Sequence, residues 1–368
     1  MDLNTLGWDA YFARHFEIQG NGALFPARVA QEHKALYTLW SERGELLARV
    51  SGRFMHGARS RADFPTVGDW VLVGDKAGDG DSIIHVLLPR RSCFSRKAVL
   101  AGGPTQGEGR TEEQVLAANI DVVFLVSGLD NDWNPRRIER FLSTTYESGA
   151  SPVIILNKAD VCDDVSARMS EVSRTAPGVP VLAMSAVART GLEAIRNHLK
   201  SGRTAVFLGS SGVGKSTIIN GLLGEDRLET GGVRLHDSRG RHTTTRRQLI
   251  VLPDGGLVID TPGLRRIQLW GDETGIERTY ADVEQLIDCC RFSDCQHESE
   301  PGCAVKEAIE TGNLDSARFA AYQRLQKELQ NLLLRQDARK LKQADRARGK
   351  MYDRILKDRE KLRKKGLM

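Results

Sequence analysis

Gly209-Ser210-Ser211-Gly212-Val213-Gly214-Lys215-Ser216 fits G-x-x-x-x-G-K-[ST], the phosphate-binding P-loop pattern. Its flanks support the match, because Thr204-Ala-Val-Phe-Leu208 reads as a buried strand and Thr217 to Leu223 continues as an apolar-faced helix. Glycines let the backbone turn several N–H groups inward onto phosphate oxygens, and the helix N-terminus adds partial positive charge. The pattern puts the Lys215 ammonium on the β- and γ-phosphates and the Ser216 hydroxyl on Mg²⁺.

Strands and helices alternate around the octet from Ile120 to about Leu269, with continuous apolar strands such as Val122 to Val126 and Val153 to Leu156. That texture predicts a mostly parallel sheet covered by helices. Asn157-Lys158-Ala159-Asp160 follows one of these strands, so it sits at a carboxyl end, where α/β ligands bind. Guanine presents two adjacent donors, N1–H and the 2-amino group, which the Asp160 carboxylate can accept together. Adenine would set a bare lone pair against it. Ser185-Ala186, after the next strand, fits a loop that touches the guanine O6 edge. Downstream, Asp260-Thr261-Pro262-Gly263 ends the strand Leu257-Val-Ile259, which aims Asp260 at Mg²⁺ through water and the Gly263 N–H at the γ-phosphate. Gly240-Arg241-His242-Thr243-Thr244-Thr245 is polar and lacks an apolar period. It reads as a switch loop in which one of the three threonines, with Thr244 as the chosen candidate, ligates Mg²⁺ while the γ-phosphate is present.

Most P-loop GTPases run from P-loop to switches to base-recognition loops. Here the base loops precede the P-loop and D-T-P-G follows it, a circularly permuted order. The permutation can close the same sheet, and it places whatever follows Gly263 directly behind the second switch. Leu264 stands where Ras has the glutamine that orients the attacking water. Turnover by the protein alone is therefore expected to be slow. His242 is the candidate to position or deprotonate the water, and an exposed loop histidine is the alternative.

The chain of 368 residues is 40% apolar and carries a net charge of +5. No run approaches 18 apolar residues, so no transmembrane helix is expected, and the first residues lack the pattern of a secretory signal. A cytoplasmic address follows. Residues 335–368 hold 14 Lys/Arg against 5 Asp/Glu, which leaves the other 334 residues at −4. Such a tail suits nucleic acid or another acidic partner, or is a solvated, charge-laced helix. Near the N-terminus Leu6, Trp8, Tyr11, Phe12 and Phe16 fit either a short amphipathic helix or a flexible arm. Between Ala23 and Leu88, five short β-like runs separated by turn-rich segments predict a small barrel, with an OB-fold as the leading candidate. Arg49, Arg53, Arg59 and Arg61 would suit an oligonucleotide on one face, and a barrel that only supports its neighbour is the alternative. Residues 89–114 read as a linker and a mobile loop.

Cys290, Cys295, His297 and Cys303 offer three thiolates and one imidazole within 14 residues. That set is a complete tetrahedral shell for a structural zinc ion. Cys289, adjacent to Cys290, is the spare. Clustering of this kind in a cytosolic chain points to metal rather than to disulfides.

The permuted order of N-K-A-D, G-S-S-G-V-G-K-S, G-R-H-T-T-T and D-T-P-G, with a barrel before and C-x4-C-x-H-x5-C after, resembles the ribosome small subunit-dependent GTPase A family over about residues 20–330. The resemblance implies nucleotide contacts at Asn157, Lys158, Ala159 and Asp160 and from Gly209 through Thr217. It implies zinc ligation by Cys290, Cys295, His297 and Cys303, and a catalytic role for His242. It further implies a GTPase that binds the small (30S) ribosomal subunit and its rRNA in the GTP state, is stimulated by that particle, and leaves after hydrolysis to GDP. The expected organisation is an arm (1–20), an OB-fold β-barrel (21–95), a circularly permuted α/β P-loop GTPase domain (96–269), a helical zinc-binding domain (270–335) and a basic helical tail (336–368). A monomer without membrane association is expected. The alternative function is an RNA-binding assembly adaptor that uses GTP as a switch with little hydrolysis, which Leu264 keeps open. A metabolic P-loop kinase is disfavoured, because N-K-A-D reads guanine rather than an acceptor substrate.

Overall fold

The computed structural model describes residues 1–20, 22–34, 36–74, 80–100, 110–228, 247–261, 274–298, 300–331 and 333–334. Five strands open the chain: β1 (Leu24–Glu32), β2 (Tyr37–Ser41), β3 (Gly44–Val50), β4 (Trp70–Gly74) and β5 (Ser82–Leu87), with the short helix α2 (Gly52–Gly57) after β3. They pair in the order β1-β2-β3-β5-β4, and β4 returns to β1, which closes an OB-like barrel. Only the β3–β5 pairing is parallel. Closure leaves no free edge, and Ala27, Val29, Leu39, Ala48, Val71, Val73 and Ile84 fill the interior.

The N-terminal residues form a helix rather than a free arm. Asp9 caps α1 (Ala10–Gln19) by accepting from the Tyr11 and Phe12 amides. Phe12 is buried against Trp70, and the Trp8 ring lies 4.7 Å from that of Trp70.

A correction follows β5. Residues 93–100 and 110–114, expected as part of a linker and mobile loop over 89–114, instead belong to an antiparallel ribbon of β6 (Cys93–Leu100) and β7 (Arg110–Ala118), in register from Cys93↔Ala118 to Leu100↔Arg110, and residues 101–109 of that stretch lie outside the described residues. Phe94 of that stretch is buried in the main core together with Leu116 and Ala117 of β7, which a linker residue would not be. The apolar runs are short and broken by charges, so periodicity did not reveal them.

The remaining strands are β8 (Val122–Gly128), β9 (Ser151–Asn157), β10 (Val181–Ala183), β11 (Thr204–Leu208), β12 (Gln248–Val251) and β13 (Leu257–Asp260). They lie in the order β10-β9-β8-β11-β13-β12, and β12 joins the barrel through the single pairing Gln31↔Gln248. All but β12 are parallel. Helices α3 (Pro135–Ser148) and α4 (Val165–Thr175) cover one face, where Ile138, Leu142 and Val172 meet Val123, Leu125 and Ile154. On the other face, α5 (Leu192–His198) and α6 (Lys215–Leu223) bring Ile195, Ile218 and Leu222 onto Phe124, Val126 and Phe207. Burial on both faces is why these strands read as unbroken apolar runs.

Arg28 of β1 is fully buried. Its guanidinium donates to the Gly68 and Asn119 carbonyls at 3.2 Å, to Thr204 Oγ1 at 2.8 Å and to the Leu6 carbonyl. One side chain thus joins the N-terminal segment, the barrel and the first residue of β11. Burial pushes its pKa down to about 10, with Asp121 opposing.

The chain divides into two compact units, Met1–Leu269 with Glu277–Ala281, and Trp270–Ile276 with Asp282–Met368. The helix α7 (Thr274–Thr279) precedes α8 (Ala281–Asp288). In the second unit, α8, α9 (Ala304–Glu310) and the helical residues 316–331 bury Val283, Val305, Phe319, Tyr322, Leu325 and Leu329. Arg318 pairs with Asp282 at 2.7 Å. Among the described residues no helix is long and apolar enough to cross a membrane.

Candidate functional site

Five parallel strands, β8 to β11 and β13, end on the same edge of the sheet. The loops that leave this edge are those carrying the motifs, as expected for an α/β ligand site. Between β11 and α6, Gly214 stands at φ 98°, and a Cβ there would collide with Asn157 Nδ2. Glycine is thus needed for both the left-handed backbone and the neighbour.

Asn157 is only 2% exposed although it ends a strand at the site. Its Nδ2 donates to the Val213 carbonyl at 2.8 Å, and its Oδ1 accepts from the Ala186 amide at 2.9 Å. One side chain therefore ties the N-K-A-D loop to the P-loop and to the Ser185–Ala186 loop. Lys158 follows in the left-handed region at φ 66°, and the Ala159 amide donates to the Met184 carbonyl at 3.0 Å. Ser185 Oγ accepts from the Ala188 amide at 3.1 Å, which tightens that loop. Asp160 is exposed at the edge of a cavity of about 240 Å³, lined also by Asn157, Lys158, Ser185, Ala186, Gly212, Gly214 and Thr217. The base-recognition loops and the P-loop share this one space.

The Lys215 ammonium donates to the Gly209 and Ser210 carbonyls at 2.9 and 2.5 Å, which holds it over the loop. Ser216 lies in the first turn of α6 and Asp260 ends β13, both half-buried. Ser211 is exposed. His242, Thr244 with its neighbours Thr243 and Thr245, Gly263, Leu264 and the tail 335–368 lie outside the described residues.

Two acidic residues escaped the sequence reading. In the loop after β8, Asp130 Oδ2 accepts from Lys158 Nζ at 2.5 Å, and Asp132 Oδ2 accepts from Ser210 Oγ at 2.5 Å and from Arg137 at 2.6 Å. The Lys158 contact holds the Asp130 carboxyl below the ordinary range, and Arg137 followed by Ser210 does the same for Asp132. Their only signal in the sequence is position, since they follow an apolar strand that neighbours β11.

In the second unit, Cys290, Cys295, His297 and Cys303 bring their ligand atoms within 4.8 Å of one another. The His297 Nδ1 lies 3.6 Å from Cys290 Sγ and 3.4 Å from Cys303 Sγ. In a tetrahedral shell with metal bonds of about 2.0–2.3 Å, neighbouring donors sit roughly 3.5–3.8 Å apart, so the set fits a metal ion. Burial raises the Cys290 thiol, but the Val305 and Ala304 amides at the start of α9 outweigh it and lower its pKa. His297 stands in the left-handed region at φ 62°. Cys289 is exposed.

The family model of the RsgA GTPases matches residues 87–270, and that of the 50S ribosome-binding GTPases matches residues 204–340. The chain is 47% identical over 337 residues to the small ribosomal subunit biogenesis GTPase RsgA of Opitutus terrae, covering 89% of this chain and 90% of that one. It is 43% identical over 342 residues to the protein of the same name from Syntrophotalea carbinolica, covering 92% of each. Among solved structures, YjeQ from Thermotoga maritima matches with a TM-score of 0.61 at 27% identity, over 83% of this chain and 98% of that one. With the permuted loops assembled on one strand edge and this likeness running through barrel, GTPase core and cysteine cluster, the chain belongs to the RsgA GTPase family.

Proposed function

We propose that the chain hydrolyses GTP during late maturation of the small ribosomal subunit, binding the particle in the GTP state and leaving it after hydrolysis. The observation that carries the reading is the meeting of N-K-A-D, Ser185–Ala186 and the P-loop in one cavity, tied by Asn157. That geometry suits a guanine base with its phosphates, and the relatives that share the whole architecture bear the name of small-subunit biogenesis GTPases. In this reading Asp160 takes the base donors, Lys215 the β- and γ-phosphates, and Ser216, Thr244 and Asp260 hold Mg²⁺, which neutralises charge on the phosphates. His242 positions the attacking water. The Cys290, Cys295, His297 and Cys303 set holds a structural zinc ion, with no position left for substrate. The borders at residues 21, 96, 270 and 336 separate barrel, GTPase domain, zinc domain and tail, and the protein works as a cytoplasmic monomer.

The test is GTP turnover measured in parallel with purified small and large subunits. The parallel design matters because a 50S-binding family model also matches part of the chain. Stimulation by the small subunit alone is expected, and equal rates with and without it would remove the proposal. His242→Ala should cut stimulated turnover about 100-fold while GTP affinity stays nearly intact. Loss of GTP binding instead would make His242 structural. The adaptor reading, which Leu264 keeps open, requires stable small-subunit binding with negligible turnover under all these conditions.

A further inference from the structure

β8 and β9 run side by side to the same edge of the sheet, with Gly128 opposite Asn157 in register. Just beyond, the Leu129 amide donates to the Asn157 carbonyl at 2.9 Å, so the loops that follow the two strands leave the sheet tied together. Asp130 and Lys158 are the next residues on the two sides. Their side chains meet, Asp130 Oδ2 accepting from Lys158 Nζ at 2.5 Å. The other carboxylate oxygen, Oδ1, accepts from the Asp132 amide at 3.2 Å, and the Asp130 carbonyl accepts from the Trp133 amide at 2.9 Å. A Cβ at position 128 would lie 2.6 Å from Oδ1, so glycine there leaves room for the carboxyl to fold back. Asp130 is thus held by its own loop while it holds Lys158.

Lys158 lines the cavity shared by the N-K-A-D loop and the P-loop, while Asp130 is outside that lining. In the proposed function Asp160 reads the edge of the guanine ring, which leaves the faces of the ring to be covered. The lining offers apolar surface from Val161 and Val187, both exposed, and from the four-carbon stem of Lys158. A lysine stem is flexible, and ordering it as the nucleotide arrives would cost affinity. With the ammonium already fixed on a carboxylate, the stem is set before binding. We infer that Asp130 is a positioning residue for guanine nucleotides: it anchors the Lys158 ammonium so that the stem forms a ready platform for the base.

Asp132, two residues on, takes the Ser210 hydroxyl of the P-loop at 2.5 Å and so acts on the phosphate side. One short loop therefore serves both halves of the ligand through two different acids. The side chains of Lys158 and Asp130 are 32% and 31% exposed, so solvent screens their pair and its loss is worth about fivefold in affinity rather than orders of magnitude. The inference rests on the reading that guanine occupies the cavity, and a double-mutant cycle keeps the two apart.

Dissociation constants for a fluorescent GDP analogue are measured with the full chain, with Asp130→Asn, with Lys158→Met and with the double variant. Asparagine keeps an acceptor for the Asp132 amide and loses the charge, and methionine keeps most of the stem and loses the ammonium. Each single substitution should weaken binding about fivefold. The double variant should bind within about twofold of Lys158→Met, because Asp130 has nothing left to hold. Asp132→Asn, acting through Ser210, should cost about the same factor in the wild-type and Lys158→Met backgrounds. An unchanged constant for Asp130→Asn would overturn the inference. So would an equal loss from Asp130→Asn in both backgrounds, which would make the residue a brace of its own loop. If Asp132→Asn also lost its effect in the Lys158→Met background, the loop would be acting as one unit and the specific pair would be refuted. No saturable binding by the wild-type chain would remove the guanine reading itself, an outcome that failure of Asp130 alone does not produce.

Discussion

Asp132 gathers two donors at once, the Ser210 hydroxyl of the P-loop at 2.5 Å and the Arg137 guanidinium at 2.6 Å. A carboxylate so placed stiffens the second residue of the loop in free and bound states alike, so its removal should raise KM for GTP with little change in kcat. Asp132→Asn keeps the shape and loses the charge. The side chain is 43% exposed, which discounts the interaction to about 1 kcal/mol, or roughly a fivefold loss of affinity. Titration with a fluorescent GTP analogue measures it, and an unchanged dissociation constant would contradict the assigned role. The pH dependence has a definite sign. Arg137 and Ser210 lower the folded-state pKa of Asp132, so the tie is complete above the ordinary carboxylate range and is lost as pH falls through the depressed value. Between about pH 5 and 8 the tie should therefore contribute no slope to GTP affinity in the wild type. At this scale the guanine and phosphate motifs were legible because their chemistry demands fixed residue types at fixed spacing. Asp130 and Asp132 were not, because any loop acid reads alike until the strand order sets β8 beside β11.

Among the elements, α3 links the site to residues far along the chain. Asn134 caps it by accepting from the Arg136 and Arg137 amides, Pro135 opens it, and Gly149 at φ 84° ends it. These signals and its amphipathic pattern are local to the sequence. Its tertiary partners were not readable. Arg137 at its start holds Asp132, and one turn on, the fully buried Glu139 takes Arg136 at 2.7 Å and the Tyr280 hydroxyl at 3.1 Å. Ser143 donates to Thr279 at 3.1 Å. A single helix therefore braces the P-loop and fixes residues 279 and 280, which follow the second-switch motif in the chain. Tyr280→Phe removes a donor from a buried carboxylate and should cost about 1–3 kcal/mol of stability. Urea unfolding of the full chain reads this as a lower midpoint at constant slope, and an unchanged midpoint would show that Glu139 is satisfied without Tyr280. The ribbon β6–β7 is the opposite case. Its register and burial come from packing Phe94 and Leu116 into a core assembled from distant segments, and a window of local sequence holds no trace of that.

At the scale of the molecule, the permuted order of motifs was visible from the start, because each motif is local and only their succession is unusual. The junction of barrel and GTPase core was not visible, since it depends on Arg28 bonding to the carbonyls of Gly68 and Asn119 and to Thr204, contacts that span up to 176 positions. The second unit poses a different problem of stability. Two of its described helices are short, α8 with 8 residues and α9 with 7, and a core of this size is marginal without a staple. The Cys3His cluster holds Cys290 beyond α8 to Cys303, which caps α9 through the Lys306 amide at 3.5 Å, so a bound ion would fix both helices at once. Metal affinity then becomes folding free energy. A strong zinc chelator, or Cys303→Ser, should release one zinc ion per chain and reduce far-ultraviolet ellipticity by a fraction matching this unit. Small-subunit binding should fall together with the ellipticity. Affinity for a fluorescent GTP analogue should stay within about twofold, because the nucleotide cavity lies wholly in the first unit, which has its own core. Chelation that leaves the ellipticity unchanged would show that the helices hold without the ion. Loss of nucleotide affinity in step with the ellipticity would mean that the two units fold as one.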